Sequence, residues 1–218
     1  MKVFKFKGAM LADAVALSDI KNKLGKEQEP CVVVVSALKG AMPQLRSLYS
    51  QALRKGQGFE EEFKALKEKH LQMAEKLLAG QKKKEYLEVL QSHLNELYDT
   101  LNQVAVLKDV SHFLKDYVLS KGDILSSLLF CALFDNASWH DSRNFIITND
   151  NFGAPEIQWE ESCRAAKEEF KKAGKISVVP GYCGKTRDGY TISLGRVGLS
   201  LTASVLEACF FTPVKAAV

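Results

Sequence analysis

The chain has 218 residues, 46% of them hydrophobic, which is enough for one domain with a sizeable core. Thirty Lys and Arg against 26 Asp and Glu leave a formal charge of +4, too mild and too evenly spread for a nucleic-acid-binding surface. No apolar run reaches membrane-spanning length, and the longest, Ile124 to Phe134, reads as a buried helix.

Val3 to Phe6 reads as a short strand leading to Gly8. Ala12, Val15, Ala16, Ile20 and Leu24 keep helical spacing until Gly25 ends the run. Cys31 to Val35 is nearly all β-branched, as in a central strand covered on both faces. Strand, helix and strand in this order predict a parallel βαβ unit with a right-handed crossover. From Phe59 to about Leu107 the pattern becomes that of two amphipathic helices in a hairpin, turning near Gly80. His70 falls on the apolar stripe of the first, and a packed core histidine is the expected role.

Ala137 to Ile147 predicts a strand and a turn, and Glu160 to Ala173 a helix stopped by Gly174. Ile176 to Val179 is the next buried strand. Asp188-Gly189 marks a tight hairpin before the alternating Tyr190, Ile192 and Leu194. Gly195 and Gly198 bracket Arg196 ahead of a helix over Leu199 to Cys209, a turn whose N–H groups and arginine suit phosphate.

The five cysteines are widely spaced and contain no CxxC pair. Buried free thiols at Cys31 and Cys131, and a reducing cytoplasmic setting, are the expectation. Gly181 to Thr186, GYCGKT, ends like a P-loop but has Pro180 and Val179 where another glycine is needed. No spacing of ligand residues suggests a metal site.

Val178 to Ala203, VVPGYCGKTRDGYTISLGRVGLSLTA, resembles the amino-acid kinase family, most closely aspartate kinases, with the pattern VVPGFxGxTxDGxTTTLGRGGSD. Four further stretches agree in order: Lys2 to Gly8 (KxxKFGGTS), Val32 to Gly40 (VVVVSAMGG), Tyr117 to Ser127 (YVLSFGERLSS) and Asp141 to Gly153 (DARxFIxTDxxFG). The resemblance implies an α/β fold, a mostly parallel sheet sandwiched by helices, with an inserted helical hairpin at about 59–107. It implies a single kinase-like domain over 1–218 whose C-terminal, adenine-side part is missing after Phe210 to Val218.

The implied activity is ATP-dependent phosphorylation of the side-chain carboxylate of L-aspartate, with magnesium arriving on ATP. Carried over by position, Lys5 and Arg196 are the catalytic pair, Ser36 and Asp123 bind the amino acid, and Gly8, Gly40, Gly195 and Gly198 face the phosphates. Departures cluster at these motifs. Lys7 and Val197 stand where the family has glycine, Lys39 replaces a small residue, and Ala41-Met42 replace a threonine-bearing segment. Asp123-Ile124 replace Glu-Arg, Asn149 replaces aspartate, and Leu199-Ser200 replace Ser-Asp. Such a site is more cationic and more apolar than the family pattern. Weak or lost transfer is expected, with a non-catalytic binding or interaction module on the same scaffold as the alternative. Self-association into a homo-oligomer is expected from an uncovered sheet edge.

Overall fold

A computed structural model describes residues 2–55, 58–108 and 111–211; the end of the stretch Phe210 to Val218 lies outside them. Four strands, β1 (Lys2–Phe6), β2 (Cys31–Val35), β5 (Ile176–Pro180) and β3 (Ala137–Trp139), form a wholly parallel sheet in the order β1-β2-β5-β3. A smaller sheet orders β4 (Ile147–Thr148), β6 (Cys183–Thr186) and β7 (Thr191–Ser193), with β6 and β7 antiparallel through the Asp188-Gly189 hairpin.

Alternation along β2 divides the core. Cys31, Val33 and Val35 face one apolar cluster, and Val32 and Val34 face another. The first cluster is filled by α1 (Ala14–Leu24), α2 (Ala41–Lys55), α3 (Glu60–Leu77), α4 (Gly80–Leu107) and α5 (His112–Ala132). The second is covered by α6 (Trp159–Glu169) and α7 (Gly198–Phe211). The helix-on-both-faces architecture therefore follows from the strand period and the β-branched run. Among the described residues, no helix is long and apolar enough to cross a membrane.

Two features differ from the sequence reading. The expectation of unpaired cysteines holds for Cys31, Cys131 and Cys183, but Cys163 and Cys209 form a disulfide joining α6 to α7. Their 46-residue separation hides a pairing that exists only because both helices lie on one sheet face. The second feature is α5, a 21-residue helix whose buried set includes Asp116, Ser120, Lys121, Asp123, Ser126 and Ser127. Its polar groups are buried because they bond neighbouring elements. Asp116 Oδ2 accepts from Ser193 N at 2.8 Å, and Lys121 Nζ reaches Glu96 Oε2 of α4 at 2.5 Å and His93 Nδ1 at 3.1 Å.

Candidate functional site

Strands of a parallel sheet deliver their following loops to one end, and a crevice there is where such folds bind ligands. Here the loops after β1, β2 and β5 meet the turn before α7. Ser36 N donates to Phe6 O at 3.0 Å and Gly181 N to Val35 O at 3.0 Å, so the three strand ends are stitched together. Gly8 is required by close approach: a Cβ there would sit 2.7 Å from Ala37 O.

Asp123 of α5 is the keystone of this end. Only 3% exposed, it accepts at Oδ1 from Ala37 N at 2.8 Å. Next to it, Ser126 Oγ accepts from Leu38 N at 2.7 Å and donates to Gly122 O at 2.7 Å. Burial pushes the Asp123 carboxyl up to about 7, against backbone hydrogen bonds from Ala37 and Gly181 that favour the ionised form.

Above Asp123 opens a cleft of about 390 Å³. Gly8, Ser36, Gly40, Asp123, Gly195 and Arg196 all line it, so most of the residues singled out from sequence converge. Lys5 and Gly198 lie outside this lining. Lys5 is exposed on edge strand β1, in register with Val34 and so on the α7 side of the sheet. Gly198 packs beneath the turn, where a Cβ would come within 2.8 Å of Gly181 O. Gly195 N donates to Ser193 Oγ at 3.0 Å, and Gly198 N donates to Gly195 O. Both N–H groups are thus engaged inside the turn, and the side chain that the turn offers the cleft is Arg196.

Sequence reasoning missed Arg46, which lines the cleft with Met42 from the first turns of α2. The signal was the i, i+4 spacing of Met42 and Arg46 directly after Gly40, which places both on one helix face. With Lys39 and Arg196 it makes a cationic rim, and among the described residues none of the three forms an ion pair. Tyr182 and Leu199 supply apolar wall. The arrangement can hold a small anion at its rim over a buried, readily protonated carboxyl.

Among the described residues, no three His, Cys, Asp or Glu side chains could together hold a metal ion. Asp123 has one carboxylate oxygen already bonded to backbone, so a magnesium ion would be held chiefly by the phosphates bringing it.

Gly198 gives a direct test of the cleft's framework. Gly198→Ala forces α7 away from the Gly181 backbone and strains the bond from Thr202 Oγ1 to Gly181 O, now 3.1 Å. We expect a loss of about 2 to 4 kcal/mol in urea unfolding, an overpacking cost against rigid backbone. Ser200→Ala, at an exposed position of the same turn, should leave stability unchanged. Equal stability of the two variants would show that this backbone contact is not tight.

Residues 1–208 match the sequence profile of the amino acid kinase family. Aspartokinase 2, chloroplastic, of Arabidopsis thaliana is 28% identical over 94% of this chain and 39% of its own length. Lysine-sensitive aspartokinase 3 of Escherichia coli strain K12 is 28% identical over 94% of this chain and 45% of its own. The crystal structure of E. coli aspartokinase III with aspartate and ADP (R-state) superposes with a TM-score of 0.84 at 26% identity, covering 96% of this chain and 46% of that one. Its T-state, with lysine and aspartate, gives 0.85 at 25% identity. The chain therefore spans less than half the length of these relatives.

Proposed function

This chain belongs to the amino acid kinase family, and on that premise we propose that it is an aspartokinase-type domain whose cleft takes an aspartate-class dicarboxylate and phosphate oxygens, with ATP-dependent transfer to the side-chain carboxylate weak or lost. The relatives' names and the aspartate and ADP held by the E. coli enzyme support the ligand class. The observation that carries the reading is the composition of the cleft. Lys39, Arg46 and Arg196 line the same cleft as Asp123, while Lys5 lies outside the lining.

Phosphoryl transfer depends on positioning and on cations matched to oxygens as charge moves. Three cations suffice to hold an anion. In-line transfer further needs the phosphate-holding lysine beside the acceptor carboxylate, and Lys5 lies outside the cleft lining, on the α7 side of β1. Asp123, protonated near neutral pH by its burial, offers a hydrogen-bond donor to a ligand carboxylate below about pH 7 and repulsion above it.

Calorimetry with inorganic phosphate, aspartate and ATP, beside a hydroxamate assay for aspartyl phosphate, tests this. Phosphate and aspartate should bind, and Arg46→Ala and Arg196→Ala should each weaken phosphate about tenfold, the loss of one charge-assisted contact. Aspartyl phosphate should not rise above a Lys5→Ala control. Steady ATP-dependent product above that control would overturn the weak-transfer reading, and no binding of any of the three would overturn the ligand class.

A further inference from the structure

The Lys39–Gly40 turn lines the cleft, and helix α3 holds it from outside that lining. Lys69 of α3 sends its Nζ to Gln44 Oε1 at 2.6 Å and to Lys39 O at 3.4 Å, so one ammonium ties the turn to the start of α2. Gly40 sits against it. The backbone there has φ of +83°, and a Cβ would come within 3.2 Å of Lys69 Nζ. The same turn is bonded to Leu11 O through Lys39 N at 3.3 Å and to Ser126 Oγ through Leu38 N at 2.7 Å.

Both acceptors that Lys69 uses are neutral. Among the described residues it forms no ion pair, and burial alone pushes its pKa below the ordinary lysine value. A half-buried ammonium usually has a carboxylate beside it. The charged side chains between Ser36 and Ser47 are instead Lys39 and Arg46, both cations and both in the cleft lining. Like charges gathered around apolar walls raise the affinity of a cleft for an anion, which relieves their repulsion.

We propose that Lys69 is a positioning residue of the anion site: it fixes the Lys39–Gly40 turn, and its unpaired charge strengthens the binding of a phosphate-class anion in the cleft. This inference rests on the cleft's being an anion site, as in the function proposed above. It adds that the α3–α4 hairpin is part of that site and not packing alone.

Calorimetry with inorganic phosphate on the intact chain near neutral pH tests it. Lys69→Gln keeps a donor for Gln44 and removes the charge. It should melt within about 3 °C of the parent and bind phosphate about fivefold more weakly, the effect of one charge nearby but not in contact. Lys69→Arg keeps the charge and should bind within about twofold of the parent. Raising the salt from about 0.1 M to about 1 M, where the Debye length falls from about 10 Å to about 3 Å, should shrink the gap between Lys69→Gln and the parent. If Lys69→Gln fails to fold, Lys69→Met takes its place. A loss that Lys69→Arg shares, or one that salt leaves unchanged, would overturn the charge role. Undiminished binding in Lys69→Gln would overturn the inference and leave the reading of the cleft standing, whereas a parent that binds no phosphate would overturn both.

Discussion

Val33→Asp is expected to abolish cooperative folding. Val33 is the middle residue of β2, flanked in register by Phe4 of β1 and Val178 of β5 and fully buried. Its side chain enters the cluster filled by α1 to α5, where its neighbours are apolar. A carboxylate there has no cation to pair with, and an unpaired buried charge costs several kcal/mol even after relaxation. Domains of this size are stable by about 5 to 15 kcal/mol in all. The far-ultraviolet circular dichroism melt should lose its sigmoid transition. Val33→Ala, which removes volume but adds no charge, should melt cooperatively with a loss of about 2 to 4 kcal/mol. An Asp variant melting within a few degrees of the parent would mean that β2 is not the central strand.

That strand was the most legible part of the chain, because five consecutive buried positions leave no room for a polar residue and the composition shows it. The hairpin at Asp188-Gly189 and the stop at Gly25 were legible for a related reason, since each depends on one or two local residues, whereas α6 ends at Glu169 in a 3-10 turn ahead of Gly174. Helix α2 was not. Pro43 near its start argues against a helix on propensity, yet in the first turn the missing N–H has no intrahelical acceptor to lose. The interior of α5 misleads more strongly. Lys121, Gly122 and Asp123 look like a surface turn, but Lys121 is fully buried against Glu96 and Gly122 packs on Leu45, Met42 and Ala37. In the cleft, motif position located Gly8, Ser36, Asp123 and Arg196, whereas Arg46 became visible only once α2 was seen to turn one face inward. The Cys163–Cys209 pairing depends on packing between elements far apart in sequence, and no local pattern encodes it.

Two buried groups of opposite character should set the response of stability to acid. His70 of α3 is fully buried, its Nδ1 3.0 Å from Leu66 O, so that nitrogen carries the proton and Nε2 has no partner among the described residues. Burial lowers it from 6.5 to about 4. Between these values the unfolded chain takes up a proton that the folded chain refuses, so acidification costs stability, by up to about 3 kcal/mol once both pKa values are passed. Asp123 runs the other way. Burial raises it from 3.8 to about 7, so the folded chain keeps a proton that the unfolded chain has released. Lowering the pH from 7 to 4 therefore removes a penalty of up to about 4 kcal/mol. In the parent the two slopes largely offset each other between about pH 4 and pH 6.5. Substitution should separate them. Asp123→Asn keeps an oxygen for the Ala37 N–H but cannot titrate, so its stability relative to the parent should fall by about 3 to 4 kcal/mol from pH 7 to pH 4. His70→Leu removes the opposing slope, so relative to the parent it should gain about 3 kcal/mol over the same range. Urea unfolding at intervals across that range measures both differences. Changes of the same sign in the two variants, or profiles parallel to the parent's, would show that one or both groups titrate normally in the folded chain.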